Sequence, residues 1–300
     1  MSDKERIIKE LFPDSEKLPT LPVLYVEINR VLDNPFSSIR KISCLLMKDQ
    51  SMVAKILTLA NSALYAKPQE ITNLANAIIF LGTQTLKNLI LQVAIVRMFP
   101  FDKKDLPGFN PGMFWEHSLG TAYFTNALVK KLKLPVSDDY YIGALLHDLG
   151  KLIIYQFYPG KFKDIIHKQI QENTPCEVAE EEVLGVNHAD IGGFLAEKWN
   201  FNPVVVAAMR DHHKLLAEPN LHVALIQIAD KLAKAAGLCF PWEKRVFNIM
   251  GDPAWDVVKA QAGSSGYIDG VADMDRLAFE ILEKSETIKE SVRELLRVKP

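Results

Sequence analysis

Asp138-Asp139-Tyr140-Tyr141-Ile142-Gly143-Ala144-Leu145-Leu146-His147-Asp148-Leu149-Gly150-Lys151 is the stretch on which the reading of this chain turns. Ser137 and Asp138 supply a helix cap, and a strongly apolar run follows. A histidine and an aspartate then stand side by side where the pattern asks for core residues. Burying that pair is costly unless something binds it.

The same grammar extends in both directions. Pro22 suits the first turn of a helix through Leu32, and Asn34-Pro35 breaks it. Ser37 is the expected cap of a helix carrying Ile39, Ile42, Leu45 and Leu46, and Asp49 caps the next. Thr72 is the expected cap of a helix ending at Gly82, with another from Thr83 through Val96. Pro100, Pro107, Gly108, Pro111 and Gly112 mark the best internal linker. Helices are then expected over Met113 to Leu132, Phe162 to Glu172, Glu177 to Gly185 and His188 to Trp199. Asn202-Pro203 opens one reaching His212-His213, and Leu221 to Ala236 forms another. A final amphipathic helix is expected from Met274 to Leu296. No stretch alternates apolar and polar residues convincingly, so the fold class reads as all-α.

Bulk properties narrow the function classes. The 300 residues hold 35 Lys and Arg against 37 Asp and Glu, with no basic stripe, which argues against a dedicated nucleic-acid surface. The helix-turn-helix pattern of Ile71 to Val96 carries too few basic or amide side chains to change that. The charged N-terminus leads into no apolar signal core, and polar residues interrupt Leu74 to Phe99, whereas a membrane span needs roughly 20 apolar residues. Cys44, Cys176 and Cys239 are scattered, as expected of reduced thiols in a cytoplasm.

Residues three and four positions apart share a helix face. By that rule His117, His147, Asp148, His188 and Asp230 all point toward interior surface, many beside glycine or alanine that would leave room for a bulky centre. His212-His213, at a helix end, is hard to explain by packing. A lone histidine on an apolar face is more often a hydrogen-bonded core residue than a ligand. Lys151 or Lys234 could also neutralise either aspartate alone. The set as a whole resists those explanations. His167 and His222 are expected to be solvated and peripheral.

In order, His117, His147-Asp148, His188, His212-His213 and Asp230 resemble the ligand sequence of the HD superfamily of metal-dependent phosphohydrolases. Leu18-Pro19-Thr20-Leu21-Pro22, Lys48-Asp49, Asn61-Ser62-Ala63 and Leu81-Gly82 resemble the HDOD family, the HD-related output domains of bacterial signalling. The resemblance runs from Leu18 to Ala236. It implies an N-terminal helical bundle (residues 1–100) packed on an HD-type helical core (101–236), with a C-terminal helical extension (237–300) outside it. It departs from the HD-GYP branch, because Lys214-Leu215-Leu216-Ala217-Glu218-Pro219 stands where that branch has Gly-Tyr-Pro.

Those seven side chains suit one or two divalent transition-metal ions: iron, manganese, zinc or nickel. An active enzyme would be a metal-dependent phosphohydrolase or cyclic-nucleotide phosphodiesterase, with Asp148 bridging the metals. Lys151 would act in catalysis and hold the substrate phosphate, and Arg210 would assist. The competing and favoured class is a signalling output module that works through a protein partner and keeps the metal site. A nucleotide or phosphoester ligand fits either; a membrane or a nucleic acid fits neither.

Overall fold

Proline, glycine and asparagine punctuation becomes helix ends in a computed structural model, which describes residues 3–32, 34, 36–62, 65, 69–99, 109–135, 137–215, 218–243, 248–263, 279 and 283–297. In chain order the helices are α1 (Asp3–Leu11), α2 (Val23–Leu32), α3 (Ile39–Leu46), α4 (Gln50–Ala60) and α5 (Leu74–Met98). They continue with α6 (Pro111–Lys131), α7 (Asp138–Leu146), α8 (Leu149–Phe157), α9 (Pro159–Glu172) and α10 (Cys176–Leu184). The last are α11 (His188–Lys198), α12 (Pro203–Asp211), α13 (Leu221–Ala235), α14 (Pro253–Gly263) and α15 (Ser285–Arg297). No strand occurs among the described residues. Pro100 to Gly108 of the expected linker, and residues 274–278 and 280–282 of the expected last helix, lie outside them.

The chain divides into two compact units, one of residues 19–101 with 286–300, the other of residues 1–18 with 102–285. In the first, α2, α3 and α4 pack on α5. Two caps sit one residue later than expected. Ser38 accepts from the Lys41 amide at 3.2 Å, and Asn73 from the Asn76 amide at 2.8 Å. A capping oxygen must reach the amide two or three residues on, and these two do. Asp49 caps α4 as expected, and Arg97 closes on the same carboxylate at 2.5 Å. Asn61 donates to the carbonyls of Leu57 and Ile71 and accepts from the Ile71 amide, which pins the connection after α4.

The two helices expected on either side of Gly82 are both present within α5, which Gly82 breaks with a non-helical kink at φ +72°. Among the described residues α5 is the one helix long and apolar enough to cross a membrane. Most of it is buried in its own bundle, including Leu86, Leu89, Ile90, Val93 and Ala94. The second segment of the helix-turn-helix pattern is therefore a core helix.

In the second unit α6 lies along α7 and α13, α11 packs on α8 and α12, and α14 covers α13. Residues 1–18 belong here. Lys4 pairs with Glu181 and Asp190, and Phe12 packs edge-on against Phe157. Residues 237–263 are also part of this unit. His147 and Asp148 are not inside one continuous helix: α7 ends at Leu146 with His147 as its C-cap, and Asp148 precedes α8.

The small residues around the histidines serve a different purpose from the one expected. A Cβ on Gly150 would lie 2.0 Å from the His188 carbonyl oxygen, and one on Gly143 would lie 2.9 Å from Ala208 Cβ. A Cβ on Gly193 would meet Arg210 at 2.7 Å. Gly150 thus lets the α8 and α11 backbones touch, and Gly143 and Gly193 make room for side chains of α12, so none of the three leaves space for a bulky group.

Candidate metal centre

Six helices and their ends bring the seven expected side chains to one place. His117 comes from mid-α6, Asp230 from mid-α13, and His188 opens α11. His147-Asp148 fill the α7–α8 break, and His212-His213 follow the end of α12. Asp148 sits at the middle. Its Oδ1 is 3.0 Å from His188 Nε2, 3.5 Å from His147 Nε2 and 3.6 Å from His212 Nε2, and its Oδ2 is 3.4 Å from His117 Nε2. Asp230 Oδ1 lies 3.0 Å from His117 Nε2 and 3.8 Å from His147 Nε2.

The outward ring nitrogens of His117, His147, His188 and His212 are engaged. Nδ1 of His117 donates to the Leu238 carbonyl at 2.9 Å, that of His147 to Ala144 at 2.8 Å, and that of His212 to Met209 at 2.9 Å. Nδ1 of His188 lies 2.5 Å from Glu180 Oε2, which also accepts from the His188 amide. A neutral ring that donates from Nδ1 turns a lone pair inward at Nε2. Yet Nε2 of His117 and His147 are 3.3 Å apart. Facing lone pairs at that distance repel unless a cation joins them. Asp230 Oδ1 is buried and meets no donor among the described residues. These orphaned acceptors fit a metal. His117, His147 and Asp148 form one donor group, and Asp148, His188, His212 and His213 another. The two groups share Asp148, and their nitrogen and oxygen donors suit divalent metals.

Charge is balanced around the cluster. Burial opposes the Asp148 charge, but His147, Lys151 and His188 outweigh it and hold its pKa well below the usual carboxylate range. Burial also opposes a charge on His188, but Glu180 and Asp148 prevail and hold it well above the ordinary histidine value. Burial pushes His212 down to about 4. Burial likewise lifts the Cys176 thiol to about 12, which keeps it protonated beside Glu180 and His188. Lys234 donates to Asp230 Oδ2 at 2.9 Å. Lys151 donates to Asp148 Oδ2 at 2.8 Å and to Glu243 Oε1 at 2.9 Å.

A cavity of about 150 Å³ adjoins the cluster, with Lys151, His213, Asp230, Lys234, Trp242 and Glu243 in its wall. Arg210 is not in that wall; its guanidinium pairs with Glu197 at 2.7 Å. His167 is exposed, and His222 stacks on Tyr140 away from the cluster. Three participants escaped the sequence. Glu180 hides in the acidic run Glu180-Glu181-Glu182, while the Leu238 carbonyl and Glu243 lie past the segment with recognisable pattern. Only the eight-residue step from Glu180 to His188, with a turn between, could have hinted at the first.

The HDOD domain family model matches residues 18–215. The chain belongs to the HDOD domain family. This HDOD chain is also 29% identical over 216 residues to an uncharacterized protein of Treponema pallidum. That match takes in 70% of this chain and 40% of the relative, so the chain spans well under half of the relative's length. The crystal structure of an HDOD domain protein of unknown function from Geobacter sulfurreducens is 27% identical with a TM-score of 0.82, covering 97% of this chain and 98% of its own. A protein from Shewanella amazonensis, provisionally named a phosphohydrolase, shares the fold at 24% identity and a TM-score of 0.72, over 95% and 97% of the two chains.

Proposed function

We propose that the histidine–aspartate centre of this HDOD chain binds one or two divalent transition-metal ions and hydrolyses a phosphoester. The observation behind this reading is the set of inward-facing Nε2 atoms around Asp148, with their Nδ1 atoms anchored from behind. Metal ions in such a site neutralise phosphate charge and acidify water. The chain's own residues do the rest. Glu180 and the carbonyls of Ala144, Met209 and Leu238 orient the rings. Lys151 holds Asp148 in register and places positive charge in the cavity wall, where a phosphate oxygen would arrive. His213, which reaches His188 Nε2 with its own Nε2 at 2.9 Å and also lines the cavity, connects the metal donors to that space.

The test is metal content of the purified protein, with a screen of phosphomonoesters and phosphodiesters against wild type and Asp148→Ala. One or two equivalents of iron, manganese, zinc or nickel, with turnover lost in the variant, is the expected result. Absence of metal and turnover after supplementation with each would sink the reading.

A second reading is signalling output through a protein partner. It is favoured by the exposed apolar side chains Val23, Val26, Ile79 and Phe80 on the α2–α5 bundle. Loss of partner capture on replacing Val23 and Ile79 by Ser, with metal content unchanged, would support it.

A further inference from the structure

The short turn Pro241–Glu243 puts a carboxylate against the lysine on which the proposed reaction depends. Glu243 is buried, and only one of its oxygens is satisfied. Oε1 accepts from Lys151, while Oε2 meets no donor among the described residues. A structural ion pair that deep normally has its remaining lone pairs filled. This one is left half-made, in the wall of the cavity beside the metal donors.

The cavity's size matters as well. At about 150 Å³ it is a small pocket that opens to solvent on one side. A single tetrahedral oxyanion fits such a space. A nucleotide needs a cleft of about 300 Å³ or more. Lys151 already donates to Asp148, and Asp148 is shared by both donor groups. An anion arriving at Lys151 therefore has Glu243, not Asp148, to replace.

The turn is built to be held at one end. Trp242 stacks on Phe240 with centroids 5.0 Å apart, and Phe240 stacks on Phe109 at 5.1 Å. The Glu243 amide donates to the Phe240 carbonyl. The aromatic stack thus fixes the start of the turn, whereas the Glu243 carboxylate has Lys151 as its anchor.

We propose that Glu243 is an internal, displaceable occupant of the phosphate subsite, and that the Pro241–Glu243 turn withdraws when an oxyanion binds Lys151. The proposal rests on the phosphoester reading of the same centre and adds its gating element.

The experiment is calorimetric titration of inorganic phosphate into metal-loaded and metal-free protein, wild type and Glu243→Gln. Gln keeps the shape and removes the competing charge, so phosphate should bind the variant at least tenfold more tightly in both forms. Hydrogen exchange on the wild-type protein supplies the second readout, with residues 238–243 exchanging faster at saturating phosphate. Equal or weaker phosphate binding by the variant overturns the proposal, as does unchanged or slower exchange at 238–243. A protein that retains no metal sinks the phosphoester reading alone, because competition at Lys151 is still read in the metal-free titration.

Discussion

His188 shows how one side chain of the proposed metal centre is held. It has no exposure, its Nδ1 is tied to Glu180, and its Nε2 faces Asp148, His212 and His213. Removing the Glu180 charge leaves the fold's packing intact but frees the ring and lowers its basicity. Glu180→Gln should therefore weaken metal binding by about 10–100-fold, read by competition with a metallochromic chelator, while the circular dichroism spectrum stays as in wild type. An unchanged affinity would mean that Glu180 neutralises His188 without supporting a metal site. Gly150 makes a purely steric point beside it. Its α-carbon faces the His188 carbonyl so closely that an added methyl group would have to displace backbone. Gly150→Ala should cost roughly 1–3 kcal/mol in urea denaturation, since overpacking of a tight contact costs that much. The same variant should lose metal, because the contact ties the start of α8, just after Asp148, to His188 at the start of α11.

Among the elements, α4 and α5 are joined by a charge that also caps a helix. Asp49 accepts from the Met52 amide at 2.8 Å and from Arg97, and Arg97 also reaches Ser51 Oγ. Burial works against the Asp49 charge, but Arg97 and the Met52 amide prevail and lower its pKa. A carboxyl depressed in the folded state adds stability that is fully present above its unfolded pKa of about 3.9 and lost as pH falls through the folded value. Asp49→Ala should cost about 1–2 kcal/mol at pH 7, the upper range for a lost N-cap. The difference from wild type should shrink below about pH 4, followed by denaturant midpoints across that range. A gap that persists at pH 2 would place the loss in packing instead. The α7–α8 break carries a different lesson. Face-sharing rules applied to His147 and Asp148 assume one unbroken helix, and the backbone changes direction between them. They reach one site because the break turns two consecutive side chains inward, which a straight helix cannot do with neighbouring positions.

At the scale of the whole molecule, a ligand that binds only the folded chain stabilises it by mass action. Metal at about 100 times its dissociation constant should add about 2.7 kcal/mol per site. For a unit of 150–250 residues that is a rise of roughly 5–10 °C in melting temperature, by differential scanning calorimetry. EDTA should reverse it, and a melting temperature indifferent to both would count against the site. The ligands come from α6, α7–α8, α11, α12 and α13, so hydrogen exchange should slow in those helices together.

Much of this arrangement was legible in the chain. Helices announced themselves through caps at Asp49, Ser137 and Asn202 and through prolines at first turns, because local hydrogen bonding and fixed φ act within a few residues. The histidines and aspartates stood out because charged and titratable groups are costly in apolar surroundings. What remained hidden was long-range. Nothing local links Glu180 to the ring of His188 across a turn, Leu238 to His117 across 121 residues, or Glu243 to Lys151 across 92. The purpose of the glycines was equally hidden, since it depends on what lies opposite each.

The amino-acid sequence by itself determined that the chain is all helix and that an HD-type set of imidazoles and carboxylates is present. Period, capping and burial cost are properties of a segment and its immediate neighbours. Only the tertiary structure decided that the set shares one Asp148, that its rings are aimed by carbonyls and a glutamate, and that Glu243 occupies Lys151. Those are contacts between distant segments, and they exist only once the helices have packed.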